Sequence, residues 1–194
     1  MHPYATDSSQ GRRAVTLLTV AAILMAWAFN RLLVWTRIGS PWWLDTPAVL
    51  GFFGILWTIY DQYAWRWRWR FVHLSDVPDL AGRWKGEVAS SHGPTILPAT
   101  LVIHQTATRV LVVLETENSR SASVMATVNC RPGQFQGLTY VYENKPRTLN
   151  APSMTPHGGI SHLRLENNGR RLVGDYEADH HRGTTGRITF ERLP

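Results

Sequence analysis

Hydrophobic and polar positions divide the chain into two regions with different periods. From Ala14 to Trp35, and again from Pro47 to Trp65, apolar residues run almost without a break. From about Asp79 the pattern changes to short alternating runs rich in Val, Thr, Tyr and Leu, divided by Gly, Pro and Asn. Such alternation is the mark of half-buried strands.

The first apolar run holds about 22 residues, which at ~1.5 Å per residue crosses a hydrocarbon core of ~30 Å. Asn30-Arg31 near its far end is tolerable because Arg31 can snorkel to the interface. Arg12-Arg13 before the run also suits a signal peptide, but the run exceeds the usual h-region and no small-x-small cleavage site follows. The second run begins after Pro41 and Pro47 and holds about 19 residues, enough for a second span. Gly51 and Gly54 share a helical face that could allow close helix contact. Trp35, Trp42 and Trp43 cluster at one end, and Trp57, Tyr60, Tyr63, Trp65, Trp67 and Trp69 gather at the other. These amphipathic rings favour the membrane boundary. The pattern therefore predicts a tail over 1–13, two transmembrane helices within 14–71, and a soluble domain over 72–194.

In that domain eight strands are expected: Gly82–Ser90, Ala99–Gln105, Val110–Glu117, Ala122–Asn129, Gln134–Glu143, Ile160–Glu166, Arg171–Ala178 and Thr185–Arg192. Arg131-Pro132-Gly133 and Asn167-Asn168-Gly169 supply turns. The fold class is thus membrane-anchored all-β, with two helices preceding an eight-stranded antiparallel up-and-down barrel. Gly82, Trp84, Gly86 and Val88 should face inward, with Trp84 plugging one end.

Charge sharpens the membrane reading. The formal net charge is +6, of which residues 1–70 supply +4 from seven arginines against Asp7, Asp45 and Asp61. Arginines before the first helix and after the second put both termini and the barrel in the cytoplasm. The single cysteine, Cys130, excludes an intrachain disulfide and reads as a core residue. Trp65-Arg66-Trp67-Arg68-Trp69-Arg70 could stack on bases, but beside a span it fits an anionic lipid surface better than a nucleic acid polymer.

No catalytic motif, phosphate loop or zinc spacing is present, so neither an enzyme nor a metal or cofactor is expected. His180-His181 reads as an exposed turn. His157, between Pro156 and Gly158-Gly159, suits a ligand contact at a barrel rim. The densest candidate for recognition is Tyr140 to Arg147. Tyr140 and Tyr142 share a strand face for stacking, Asn144 offers a donor and an acceptor, and Lys145 and Arg147 suit phosphate. An ordinary aromatic strand ending in a polar turn would show the same residues.

The sequence also resembles the SMODS-associated, two-transmembrane, β-strand-rich effectors of CBASS anti-phage systems. The likeness rests on Asp79-Leu80-Ala81-Gly82-Arg83-Trp84-Lys85-Gly86, on Tyr142-x-Asn144-x-Pro146, and on His157-x-Gly159. It continues through Leu172-Val173-Gly174-Asp175-Tyr176 and Thr185-Gly186-Arg187-Ile188. The resemblance implies an inner-membrane protein whose barrel binds a cyclic dinucleotide, after which copies self-associate and disrupt the bilayer. Carried onto this chain, it implies ligand contacts from Tyr142, Asn144 and His157, with Tyr140, Arg147, Tyr176 and Thr185 as further members. The Gly-x-Trp opening leaves two other readings open, a membrane-tethered carrier of lipid or small apolar molecules, or a filled barrel serving as an interaction module.

Overall fold

The computed structural model describes residues 1–37, 45–69, 72–73, 75–91, 96–131, 136–146, 156–179 and 183–194. The chain divides into two compact units, one formed by residues 1–8 with 77–194 and the other by 9–76.

Residues 9–76 hold α1 (Gln10–Trp35) and α2 (Asp45–Gln62), followed by a 3-10 turn over Ala64–Arg66. Among the described residues α1 is the one helix long and apolar enough to cross a membrane, over Gly11–Trp35. The 18 residues of α2 reach ~27 Å at ~1.5 Å each. Phe29 of α1 and Phe52 of α2 meet edge to face at 6.0 Å, and Ala22 and Ala26 of α1 are buried. The expected Gly51–Gly54 contact is not made: a Cβ on either glycine would meet open space. Alanines on α1 serve as the small buried residues instead. Trp65, expected in an interfacial belt, is buried under the Arg66 guanidinium, 5.2 Å away. The Trp-Arg repeat leads into a two-stranded ribbon of β2 (Arg68–Trp69) and β3 (Val72–His73). Trp42 and Trp43 lie outside the described residues.

The other unit is a closed barrel. Eight of its strands follow in antiparallel meander: β4 (Gly82–Ser90), β5 (Ile96–Gln105), β6 (Arg109–Thr116), β7 (Ser119–Asn129), β8 (Gly137–Pro146), β9 (His157–Glu166), β10 (Arg171–Ala178) and β11 (Thr185–Arg192). β11 pairs back onto β4, from Gly186 opposite Ser90 to Arg192 opposite Trp84. Between β9 and β10, Asn167, Asn168 and Gly169 all take positive φ, as a tight turn rich in Asn and Gly favours.

The count of eight strands is corrected to nine among the described residues. The ninth, β1 (His2–Thr6), comes from the segment expected to be a tail. β6 and β7 pair only from Val113–Ala122 to Glu115–Arg120. Beyond that point β7 is bulged between Ser123 and Met125. β1 fills the resulting seam, antiparallel to β6 at His2–Val110 and Pro3–Arg109, and parallel to β7 at Tyr4–Ala126, Ala5–Thr127 and Thr6–Val128. The barrel is therefore mixed. A five-residue polar segment carries no hydrophobic alternation strong enough to announce a strand; its pairing is decided by two edges that would otherwise lack hydrogen bonds.

Inward positions follow the pleat. Trp84, Leu101, Ile103, Val112, Leu138, Leu172, Ile188 and Phe190 form a core between 0% and 2% exposed. Trp84 plugs this end as expected: its indole N–H donates to the Leu80 carbonyl at 3.0 Å, and Arg192 lies 5.3 Å from its ring. Gln105 seals the same end by accepting from Leu80 N–H at 2.8 Å and donating to the Pro78 carbonyl at 3.2 Å. Cys130 is buried, as expected, beside Thr6 Oγ1 at 3.1 Å. Its N–H donates to Asp7 Oδ1 at 2.8 Å, which holds that carboxyl below its ordinary value.

Candidate ligand-binding site

The opposite end of the barrel contains a cavity of about 130 Å³ lined by strands from around the whole circumference. Four expected residues meet there: Tyr142 and Asn144 on β8, His157 on β9 and Tyr176 on β10. Asn144 and His157 are register partners, as are Tyr142 and Gly159. The Tyr142-x-Asn144 spacing thus works through strand period: both side chains face inward, with Glu143 pointing out.

Glycines make room for the aromatic rings. A Cβ on Gly159 would stand 2.4 Å from the Tyr142 hydroxyl, and one on Gly186 2.4 Å from Cε1 of Tyr176. Both glycines belong to the motifs that carry the family resemblance, and the structure gives their physical task.

The remaining expected residues separate. Tyr140 faces inward but lies in the core, 2% exposed, with its ring 6.2 Å from that of Tyr142, and it does not line the cavity. It cannot present an open face to a base in this arrangement. Burial pushes its phenol up to about 12; the Ser161 hydroxyl, its register partner, pulls the other way without completing a hydrogen bond. Thr185 is exposed on the outer wall, beside His162 and Arg187, and Thr184 takes the inward position. The one-residue difference follows from the pleat, because adjacent side chains face opposite sides. Arg147 and His180-His181 lie outside the described residues.

Sequence reading missed a second set. Ser121, Ser161 and Thr184 line the cavity and are between 2% and 6% exposed. The β6–β7 turn adds Thr116, Asn118 and Ser119 to the wall. Thr116 Oγ1 accepts from Ser119 N–H at 3.1 Å, which fixes the turn. Serines and threonines on an alternating strand read as ordinary polar positions; their inward phase could be counted only from the register of β8, where Ser121 faces Asn144.

Among the described residues the side chains of Asn144, Ser121 and Thr184 have no hydrogen-bond partner. Their polar atoms stay open to the cavity, so these three form a polar floor available to a ligand or water. The described lining contains no Asp, Glu, Lys or Arg. Charge lies on the outer wall instead, where Arg120 pairs in register with Lys145 and bridges Glu115 at 3.4 Å. No group of three or more His, Cys, Asp or Glu that could hold a metal occurs among the described residues.

A closed barrel plugged at one end, with aromatic rings and unsatisfied amide and hydroxyl groups at the other, has the architecture of a small β-barrel ligand receptor. The profile of the Cap15 cyclic dinucleotide receptor domain matches residues 75–192. The chain belongs to that family. It is also 31% identical over 140 residues to CD-NTase-associated protein 15 from Yersinia aleksiciae, an alignment covering 71% of this chain. The match spans 66% of that relative, just under two thirds of its length.

Proposed function

We propose that this chain is a CBASS effector whose barrel mouth binds a cyclic dinucleotide and whose helices deliver the response to a membrane. The observation that carries the reading is the mouth itself, where Tyr142, Tyr176, Asn144 and His157 converge over a polar floor in a member of a cyclic dinucleotide receptor family. Tyrosine rings supply stacking faces, and Asn144 supplies both a donor and an acceptor for a base edge. A cavity of about 130 Å³ is smaller than the roughly 300–1,000 Å³ that encloses a typical ligand. The ligand therefore inserts one base, leaving its ribose-phosphate ring outside the cavity.

A cavity of about 130 Å³ is too small to enclose a lipid chain, which weighs against the lipid-carrier alternative. Two membrane crossings, rather than one, are supported by connectivity. β1 precedes α1 and β4–β11 follow α2, yet all belong to one barrel. Once α1 crosses, α2 must return the chain to the starting side. The excess of flanking arginines makes that side the cytoplasm of an inner membrane. Ligand-driven self-association would then gather helix pairs and disrupt the bilayer.

Calorimetry on the full chain in detergent, with cyclic di-AMP, cyclic di-GMP and cyclic GMP–AMP, tests the receptor reading. Saturable binding of at least one, weakened about tenfold or more in Asn144→Leu, is expected; no binding by any of the three would count against it.

A further inference from the structure

β1 occupies the seam between β6 and β7 while burying little of itself. None of the five β1 residues is buried. The strand is held by main-chain pairing and by polar contacts: His2 Nε2 to Ser123 Oγ at 2.7 Å, the Tyr4 hydroxyl donating to the Ala107 carbonyl at 2.8 Å, and Thr6 to Cys130. All of these partners belong to the barrel wall. Asp7–Ser9 alone connects β1 to α1, which begins at Gln10.

The acceptor is the opposite in character. Val110, Val112, Ala126 and Val128 beside the seam are between 0% and 4% exposed. Without β1, two ladder edges would stand open over that core, and an open edge is a template for another chain. Val124 and Met125, at the bulge where the seam begins, already expose 47% and 65% of their surface.

The same two strands form part of the ligand mouth. Ser119 and Ser121 of β7 and Leu114 and Thr116 of β6 line the cavity. Two residues beyond Ser121, the Ser123 hydroxyl accepts from Val112 N–H at 2.9 Å and meets His2. A ligand that respaces β6 and β7 at the mouth therefore acts on the seat of β1.

From these relationships we infer that the seam is an interface for a second copy of this chain: on activation, the N-terminal strand of one copy occupies the β6–β7 seam of its neighbour. The inference rests on the ligand-gated reading above. Identical contacts are available within one chain and between chains, so the exchange changes partners without changing chemistry. Helix pairs held in one membrane supply the high local concentration that favours it. Each exchanged strand leads directly into α1, so strand exchange would tie neighbouring membrane helices together.

Two full-length chains of different tag length test this in detergent. One carries Thr6→Cys with Cys130→Ser, and the other is wild type, so a link between position 6 and Cys130 can form only between copies. After addition of cyclic di-AMP, cyclic di-GMP or cyclic GMP–AMP and a diffusible oxidant, a disulfide-linked heterodimer joined through those positions in peptide mapping is expected. In a companion sample, Thr6→Cys alone is oxidised before ligand, locking β1 onto its own barrel. That sample should bind ligand as before but lose ligand-driven assembly until a reductant is added. Ligand binding with no mapped heterodimer, or assembly by the locked chain, overturns strand exchange. Absence of ligand binding in every sample instead removes the receptor reading and strand exchange with it.

Discussion

The far end of the Tyr142 ring sits over Gly159, its register partner on β9, so closely that a methyl group at position 159 would stand 2.4 Å from the Tyr142 hydroxyl. The same methyl would meet the Glu177 carbonyl oxygen at 2.4 Å. One neighbour is the far end of a side chain, and the other is backbone that cannot swing away. Gly159→Ala should therefore lower stability by about 1–3 kcal/mol through overpacking and displace Tyr142 from the mouth. Gly174→Ala, where the new methyl would meet the His162 carbonyl away from the cavity, should destabilise without a specific effect on ligand. Thermal unfolding with calorimetry separates the two; equal losses of affinity at equal stability would refute the positioning role of Gly159.

Asn144 is 6% exposed and has no side-chain partner among the described residues. Because the amide makes no bond to the described residues, replacing it by an apolar side chain of similar size removes no internal hydrogen bond. Asn144→Leu should leave stability unchanged or raise it by about 1 kcal/mol. Ligand affinity should fall about tenfold or more, the equivalent of one lost hydrogen bond or slightly above. Urea unfolding and calorimetry on the same preparation would check the pairing of gained stability with lost binding.

Tyr140 gives a pH signature. Its folded pKa of about 12 stands above the ordinary value of 10.0, because burial favours the neutral phenol. Below the unfolded value both states are neutral and the contribution is complete. As pH rises from 10.0 towards 12 the unfolded chain ionises first and the contribution is lost. Tyr140→Phe should match or exceed wild-type stability near neutrality and flatten this alkaline decline. Urea midpoints at ~pH 8 and ~pH 11 would show it; identical slopes in both proteins would overturn the assignment.

Residues 72–194 alone lack β1. Removing it leaves ladder groups unpaired along Arg109–Val110 and Ala126–Val128. The fragment should lose on the order of 2–4 kcal/mol, at about 1 kcal/mol per backbone hydrogen bond, and should associate through the open seam. A synthetic peptide of residues 1–8 should restore both stability and the monomeric state. Sedimentation with and without peptide measures it, and a stable monomeric fragment indifferent to the peptide would contradict the role given to β1.

Much of the barrel was legible because strands announce themselves through local alternation. The inward phase of Gly82, Trp84, Gly86 and Val88 follows from the pleat alone, and Trp84 indeed closes one end. Tyr142 and Asn144 were legible as candidates because aromatic and amide side chains at strand spacing suit a flat polar ligand, His157 because Pro156 and Gly158-Gly159 flank it at a rim, and Tyr176 only through the family resemblance. Tyr140 shares the face of Tyr142, and periodicity cannot tell the rim of a barrel from its core. Thr185 illustrates a different limit: at the edge of a strand, a shift of one residue reverses the side it faces.

The eight-strand meander, the two apolar helices, the inward phase of β4 and much of the chemistry available to a ligand were determined by the sequence by itself. These depend on residues a few positions apart. Tertiary structure alone decided that His2–Thr6 is a strand, that Ser121, Ser161 and Thr184 share a floor with Asn144, and that Gly159 and Gly186 seat the two tyrosines. Each of those relationships joins residues from separate parts of the chain. They are fixed only when the barrel closes and the register between neighbouring strands selects which side chains meet.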